Sequence, residues 1–385
     1  MNELLSSARE FMKREKVDFL LVNSTNEFLV EYNDLKENAR YKLTGFSGST
    51  GDALLGFDRL YLFVDGRYHI QADLEVNPEI VTVVKLLAGQ SQLTEMAKQI
   101  PANAVVGVCS KKNSRARVEA MEKHFKVKLL QEDGIETSAP DFGVIEDISE
   151  DLCGLSSDEK ILKIQKTLQI HESILFTNPE DVSYLYNKRD FSRPYSSKIT
   201  GKALISKHTD TLFTGEKIKN FDKYITSDVV YVDKATINAY DYTLLGKKAR
   251  QIKENPVLAM RTVKTDAEIE HLKSAFARTD KTMYAIRNFI NENDNISEYD
   301  VAKKLEELFY EFGAKNLSFK SIVAHNQNSA LAHYSKSSKE EILKDGSLVL
   351  IDCGAYYEGG LATDITRVFV KGNPTDLQKQ VYTTV

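Results

Sequence analysis

Leu348-Val-Leu-Ile-Asp352-Cys-Gly-Ala-Tyr-Tyr-Glu358-Gly-Gly-Leu-Ala-Thr-Asp364-Ile-Thr-Arg367-Val368 carries the most informative pattern in this chain of 385 residues. An apolar run ends in an aspartate, a glycine-rich reversal follows, and a second aspartate opens another β-prone run from Ile365 to Val370. The pattern predicts a hairpin with one carboxylate on each arm. Hard divalent cations take oxygen ligands, and paired cation sites take a bridging carboxylate, so Asp352 and Asp364 are candidate metal ligands. The competing reading is that both acids cap turns and that Gly359-Gly360 is an ordinary hairpin connection. Spacing alone favours the turn, because nothing local adds a histidine or a third acid.

Working outward, the length exceeds what one hydrophobic core supports and predicts two or three domains. Hydrophobic residues at 42% and charged residues at 28% fit a globular protein, and a formal charge of -5 offers no extended basic surface for nucleic acid. The N-terminus has acids and bases at helical spacing instead of a signal peptide, and no segment reaches the ~20 apolar residues of a membrane span. Cys109, Cys153 and Cys353 are odd in number and far apart, which argues against a disulfide framework. A cytoplasmic protein without nucleic-acid or membrane partners is expected.

Upstream of the hairpin, residues 3–16 read as a polar helix and 17–23 as a buried strand. The stretch Leu43-Thr-Gly-Phe-Ser-Gly-Ser-Thr-Gly-Asp lacks the lysine of a phosphate loop and precedes a strand, so it reads as a structural turn. Asp65, Arg67 and His69, at a strand-to-helix junction, read as turn and cap contacts. Strands at 79–85, 104–109 and 126–130 complete a first α/β domain, and residues 131–150 have linker chemistry. The strand and helix alternation then restarts and runs to Val229-Val-Tyr-Val, repeating the first architecture.

Thr265-Asp-Ala-Glu268 is a capping box that opens a long helix, with Ile269, Leu272, Phe276, Met283, Ile286 and Ile290 as its expected apolar stripe. Ser297-Glu-Tyr-Asp300 opens a second, with Val301, Leu305, Leu308 and Phe309 inward. An extended segment, a polar loop with His325 and His333-Tyr334, and the hairpin follow.

Several separate stretches, in order along the chain, resemble the three-domain aminopeptidase P branch of the metal-dependent pita-bread peptidases. Leu43 to Gly51 and Val64-Asp-Gly-Arg-Tyr-His-Ile-Gln-Ala resemble that family's N-terminal domain, and Asp181-Val-Ser-Tyr-Leu-Tyr-Asn-Lys-Arg its middle domain. Lys264-Thr-Asp-Ala-Glu-Ile-Glu resembles the entry to its catalytic domain, and Ser318 to Tyr334 together with Leu350 to Arg367 its first catalytic half. The resemblance implies an α/β chain with two creatinase-N-terminal-like domains, 1–145 and 146–260, followed at 261–385 by the first part of a pita-bread α+β catalytic domain.

It also implies a Xaa-Pro aminopeptidase that removes the N-terminal residue preceding proline, working with two divalent metal ions. Mn²⁺ is the expected metal, with Co²⁺ and Zn²⁺ as alternatives. By the same resemblance Asp352 and Asp364 are metal ligands, Asp364 bridging, and His333 is the catalytic histidine near the scissile carbonyl. Peptides with proline at the second position are the implied substrates, and a homodimer the implied assembly. A non-enzymatic pita-bread binding protein and a prolidase-type dipeptidase are the rivals.

Three departures stand out. The Asp-to-Asp spacing is one residue longer than the family's, which predicts a bulge or a longer turn around Gly359-Gly360-Leu361. His325 and Gln327 stand where glycine and proline are usual, and His325 reads as a loop hydrogen-bonder. The family's remaining ligands, one histidine and two glutamates, are expected beyond Val385, which would leave these residues alone without peptidase activity.

Overall fold

The computed structural model describes residues 2–138 and 142–385; Ala139, Pro140 and Asp141, inside the expected linker, lie outside the described residues. The chain divides into two compact units. The first comprises Met1–Phe142, Ser157–Tyr186 and Ile199–Thr262, and the second Gly143–Ser156, Asn187–Lys198 and Val263–Val385.

The first unit holds two sheets built from short, nearly continuous apolar runs. Such runs are expected for strands buried on both faces. In the first sheet, β1 (Phe19–Val22), β2 (Asp52–Gly56), β3 (Leu60–Val64), β4 (Val81–Lys85), β5 (Val105–Cys109) and β6 (Lys126–Leu130) lie in the order β4-β3-β2-β1-β5-β6. Side chains alternate between two cores: Leu20, Val22, Leu55 and Leu62 on one face, Leu21, Leu54, Phe63 and Val106 on the other.

Two short strands, β7 (Glu146–Asp147) and β9 (Lys188–Arg189), pair with each other in the second unit. The second sheet of the first unit has β8 (Glu172–Phe176), β10 (Gly201–Ser206), β11 (Asp210–Thr214), β12 (Val229–Val232) and β13 (Ala249–Gln251) in the order β11-β10-β8-β12-β13. Its central strand pairs antiparallel with β10 and parallel with β12, as β1 does with β2 and β5. The expected repeat of architecture is therefore visible strand by strand, with β4 as the addition in the first sheet.

In the second unit two helices cover one face of a small sheet. The helix Asp266–Glu292 starts at the capping box of Thr265 and Glu268, and the helix Glu298–Glu311 at that of Ser297 and Asp300. Strands β14 (Asn316–Leu317) and β17 (Ala355–Tyr356) pair with each other, and β15 (Ile322–His325), β16 (Leu348–Cys353) and β18 (Ile365–Val370) form the order β15-β16-β18. Val323, Val349, Ile351 and Cys353 join Met283, Ile286, Val301 and Phe309 in one core.

The expected stripe of the long helix is half right. Met283, Ile286 and Ile290 are buried, but Ile269 and Phe276 are 39% and 38% exposed, and His271, Thr279 and Thr282 face inward instead. The physical reason is what this end of the helix meets: polar backbone and hydroxyls of the hairpin. His271 Nε2 accepts from the Gly359 amide at 3.3 Å, and Thr279 Oγ1 lies 2.8 Å from Thr363 Oγ1.

Candidate active site

Asp352 is the fifth residue of β16, a strand whose side chains alternate between core and open face. Val349, Ile351 and Cys353 point into the core, so Asp352 points to the other side. β16 pairs antiparallel with β18 so that Asp352 stands opposite Thr366, whose hydroxyl donates to Asp352 Oδ1 at 2.8 Å. Asp364 is two residues before Thr366, and the period of two puts it on the same face. Both carboxylates thus project from one side of the hairpin.

The additional residue between the acids is absorbed by the turn. The ladder ends at Cys353↔Ile365, and the isolated bridge Tyr356↔Ala362 beyond it keeps the same register, leaving residues 357–361 as the loop. A longer turn, not a bulge, accounts for the spacing. Glycine is required at Gly354, where a Cβ would stand 1.9 Å from the Thr363 carbonyl oxygen. It is also required at Gly360, where φ is +70° and a Cβ would meet the Arg189 side chain.

The turn is braced from several elements of its own unit. Arg278 forks onto Glu358 at 2.9 and 2.6 Å, holding that carboxyl down at about 2, and its guanidinium stacks 4.1 Å over the Tyr357 ring. Ser197 donates to the Gly360 carbonyl at 2.8 Å, and Asn316 Nδ2 donates to the carbonyls of Arg193 and Ser196. Behind the acids, Ser318 Oγ donates to the Thr363 carbonyl at 3.0 Å. These contacts fix the backbone from which Asp364 projects.

Electrostatics tie the three expected site residues together. Burial raises the Asp352 carboxyl above its ordinary range and the Asp364 charge adds to the rise, while the Thr366 hydroxyl and His333 pull it back. An acid whose ionisation burial and a neighbouring acid disfavour is a ready ligand for a divalent cation, which removes the penalty. Cys353, next in sequence, faces the core beside Met283, and burial pushes its thiol up, so it is no thiolate donor. Among the described residues no group of three histidine, cysteine, aspartate or glutamate side chains forms a cation cage. Asp352 and Asp364 therefore fit a cation as part of a ligand set.

His325 departs from expectation. It ends β15 instead of lying in the loop, is 2% exposed, and neither ring nitrogen has a hydrogen-bond partner; the nearest acid is Glu341, at 3.8 Å from Nε2. Its backbone amide donates instead to Glu298, a buried acid that sequence patterning treats as an ordinary first-turn residue.

In the first unit the glycine-rich turn is structural, as expected, and organised by Arg40. This fully buried guanidinium donates to the carbonyls of Thr50 at 2.6 Å, Gly51 at 2.9 Å and Gly48, and lies over the Phe46 ring. Asp65 takes the Arg67 fork and the Arg67 amide, and His69 bonds the Leu86 carbonyl, so these three are turn contacts. A cleft of about 460 Å³ beside the glycine-rich turn is lined by Ser24, Leu29, Ser49, Asp52, Leu93 and Arg117 among others.

Residues 5–136 match the creatinase/prolidase N-terminal domain and residues 270–385 match metallopeptidase family M24. The chain is 27% identical to a probable Xaa-Pro aminopeptidase P of Aspergillus niger, over 100% of this chain and 71% of the relative. It is 24% identical to Xaa-Pro aminopeptidase 1 of Dictyostelium discoideum, over 100% of this chain and 69% of the relative. Other relatives are spanned to 66%, so the chain covers roughly two thirds of the length of the proteins it matches. The X-prolyl aminopeptidase of Caenorhabditis elegans, a cytosolic enzyme with a di-nuclear active site, shares the fold with a TM-score of 0.85. That match has 19% identity and covers 97% of this chain and 70% of that one. In content and order these two matched segments, a creatinase/prolidase-type N-terminal domain followed by a family M24 metallopeptidase domain, agree with the relatives over the whole of this chain.

Proposed function

We propose that the protein is a Xaa-Pro aminopeptidase, releasing the N-terminal residue of peptides in which proline comes second. The observation that carries the reading is the placement of Asp352 and Asp364 on one face of the β16–β18 hairpin, with His333 in electrostatic reach of Asp352. The relatives' activity and the shared fold support it.

In this reading Asp352 and Asp364 would be part of the ligand set that holds two divalent cations, Mn²⁺ first among the candidates. Such ions supply an activated water and polarise the scissile carbonyl. Thr366 keeps Asp352 turned towards the open face, and the braced turn holds the backbone that carries Asp364, so both carboxylates are placed before any ion arrives. His333 is assigned to the scissile carbonyl and to proton transfer at its oxygen. The division into 1–145, 146–260 and 261–385, a homodimer and a cytoplasmic location belong to the same proposal. The dimer has the family resemblance as its support. The location is supported by the cytosolic C. elegans neighbour, and no helix among the described residues is long and apolar enough to cross a membrane.

Titration of the metal-free protein with Mn²⁺ by calorimetry, on the parent and on Asp364→Ala, tests the reading. Binding by the parent and its loss in the variant is the expected result. Unchanged stoichiometry in Asp364→Ala would overturn the ligand assignment. A complete polypeptide containing these residues that binds Mn²⁺ but turns over no Xaa-Pro-Yaa peptide would overturn the activity.

A further inference from the structure

Between β15 and β16 the chain makes a long polar excursion that carries His333. Its regular structure is one short turn, Asn326–Ala330, so its shape has to be held by side chains. The holding group is Glu298, the first residue of the helix Glu298–Glu311, with 0% of its surface exposed.

Every hydrogen bond found on this carboxylate comes from the excursion and from His325, where it begins. The His325 amide donates to Oε1 at 2.8 Å, and Asn328 Nδ2 reaches both oxygens at 3.2 Å. The Tyr334 hydroxyl donates to Oε2 at 2.7 Å, and the Ser338 amide to the same oxygen at 3.0 Å. The two backbone donors, His325 and Ser338, bracket the stretch of the excursion that carries His333, and Tyr334 is the covalent neighbour of His333. Burial, and then the Glu298 carboxylate itself, keep the Tyr334 phenol far above its ordinary range, so the proton stays on the phenol and is donated. A second layer joins the same helix end to the far side of the excursion: the Tyr299 amide donates to the Ser338 carbonyl and the Glu298 amide to the Glu341 carbonyl.

A buried carboxylate is costly unless it accepts several donors, and here the donors are two amides, a side-chain amide and a phenol. Such a cluster selects a carboxylate over the isosteric carboxamide, because the NH₂ of glutamine would face donors. We propose that Glu298 is a positioning residue: by gathering the excursion from His325 to Ser338 onto one buried carboxylate, it sets the placement of His333 relative to Asp352 and Asp364. The inference rests on the assignment of His333 to peptide turnover, and goes beyond it by naming what holds that histidine in register.

Two measurements on the complete polypeptide that contains this chain test it. The first is hydrogen–deuterium exchange in Glu298→Gln. Amides of residues 325–338 are expected to exchange about tenfold faster, with β16 and β18 unchanged. The second is a double-mutant cycle with His333→Asn on a Xaa-Pro-Yaa peptide. Glu298→Gln alone is expected to lower kcat by up to about 100-fold at a nearly constant KM, as for a misplaced catalytic group. In the His333→Asn background the same substitution should cost less than about twofold, since a coupled pair is non-additive.

An equal loss in both backgrounds would show that Glu298 supports the fold without acting through His333, and would overturn the proposal; so would unchanged exchange. Should Glu298→Gln not fold, Tyr334→Phe removes one donor without burying a mispaired group. It is expected to speed exchange of the same segment about threefold, and no change there overturns the proposal as well. Altered exchange with a parent inactive on every Xaa-Pro peptide would leave Glu298 as the organiser of the excursion and discard the activity reading instead.

Discussion

In each sheet of the first unit the chain leaves the central strand, makes an excursion and returns as the antiparallel neighbour. It does so from β1 to β2 through residues 23–51, and from β8 to β10 through residues 177–200. The strand plans agree, yet the excursions are fastened by different means. The first closes on itself around Arg40, whose guanidinium satisfies the carbonyls of Gly48, Thr50 and Gly51. The second contributes residues 187–198 to the other unit, where Ser197 and Arg189 meet the turn of the acid-bearing hairpin. A repeated sheet fixes where a loop starts and returns; the loop's polar groups decide which element it serves.

Breaking the first fastening should have the largest effect. Arg40→Met leaves at least three buried carbonyls without their donor, and a loss of about 3 kcal/mol is expected, confined to the first unit. Calorimetric melting should show the corresponding transition lowered with the other unmoved. An equal fall in both transitions would mean that the first excursion is not self-contained.

Gly360→Ala probes the second fastening. With φ at +70° and an added Cβ 2.4 Å from Arg189 Nε, the substitution should cost the second unit about 1–2 kcal/mol. It should also weaken Mn²⁺ binding in the calorimetric titration, because the turn that carries Asp364 would shift. A neutral substitution would remove the turn from the bracing role assigned to it.

The smallest effect is a pH dependence. His271 is buried against the same turn and accepts from the Gly359 amide, and burial lowers its pKa below the ordinary 6.5. The unfolded chain therefore takes up a proton that the native imidazole refuses. His271's contribution is complete above about pH 6.5 and declines as the pH falls towards the folded-state pKa. Urea titrations of the parent and of His271→Leu should show the variant's stability falling less over that acid range. Parallel curves would separate His271 from the brace.

Much of the fold was legible because the strands are buried on both faces: Leu60-Tyr-Leu-Phe-Val64 has no other sensible reading. Both capping boxes were legible for the same local reason, each being complete within four residues. The inward turn of His271 and Thr279 was hidden, since hydropathy assumes that an inward face meets apolar partners, and these two meet a backbone turn and a hydroxyl. Short helices such as Ala39–Thr44 and Gln92–Ala97 have too few residues to show a period.

In the candidate site, Asp352 and Asp364 announce a hairpin, but only the ordered motifs upstream turn them into candidate ligands. Glu298 gives no sign of its role: its donors lie 27 to 40 residues further on, and an acid in a helix's first turn is commonplace. The Glu298 amide and its neighbours likewise bond across the sequence, beyond any local pattern.

The register that Asp352↔Thr366 shares with the bridge Tyr356↔Ala362 has one more consequence. An inserted residue beyond the last paired position moves the tip outward and leaves the parity of both arms untouched. The same insertion inside either arm would turn one acid to the opposite face. The hairpin thus separates two adjustable quantities: how far its tip reaches, set by the residues between Tyr356 and Ala362, and which way its acids point, set by the ladder. Sequence drift can therefore lengthen or shorten the tip, and retune what it touches, without disturbing the pair of carboxylates behind it.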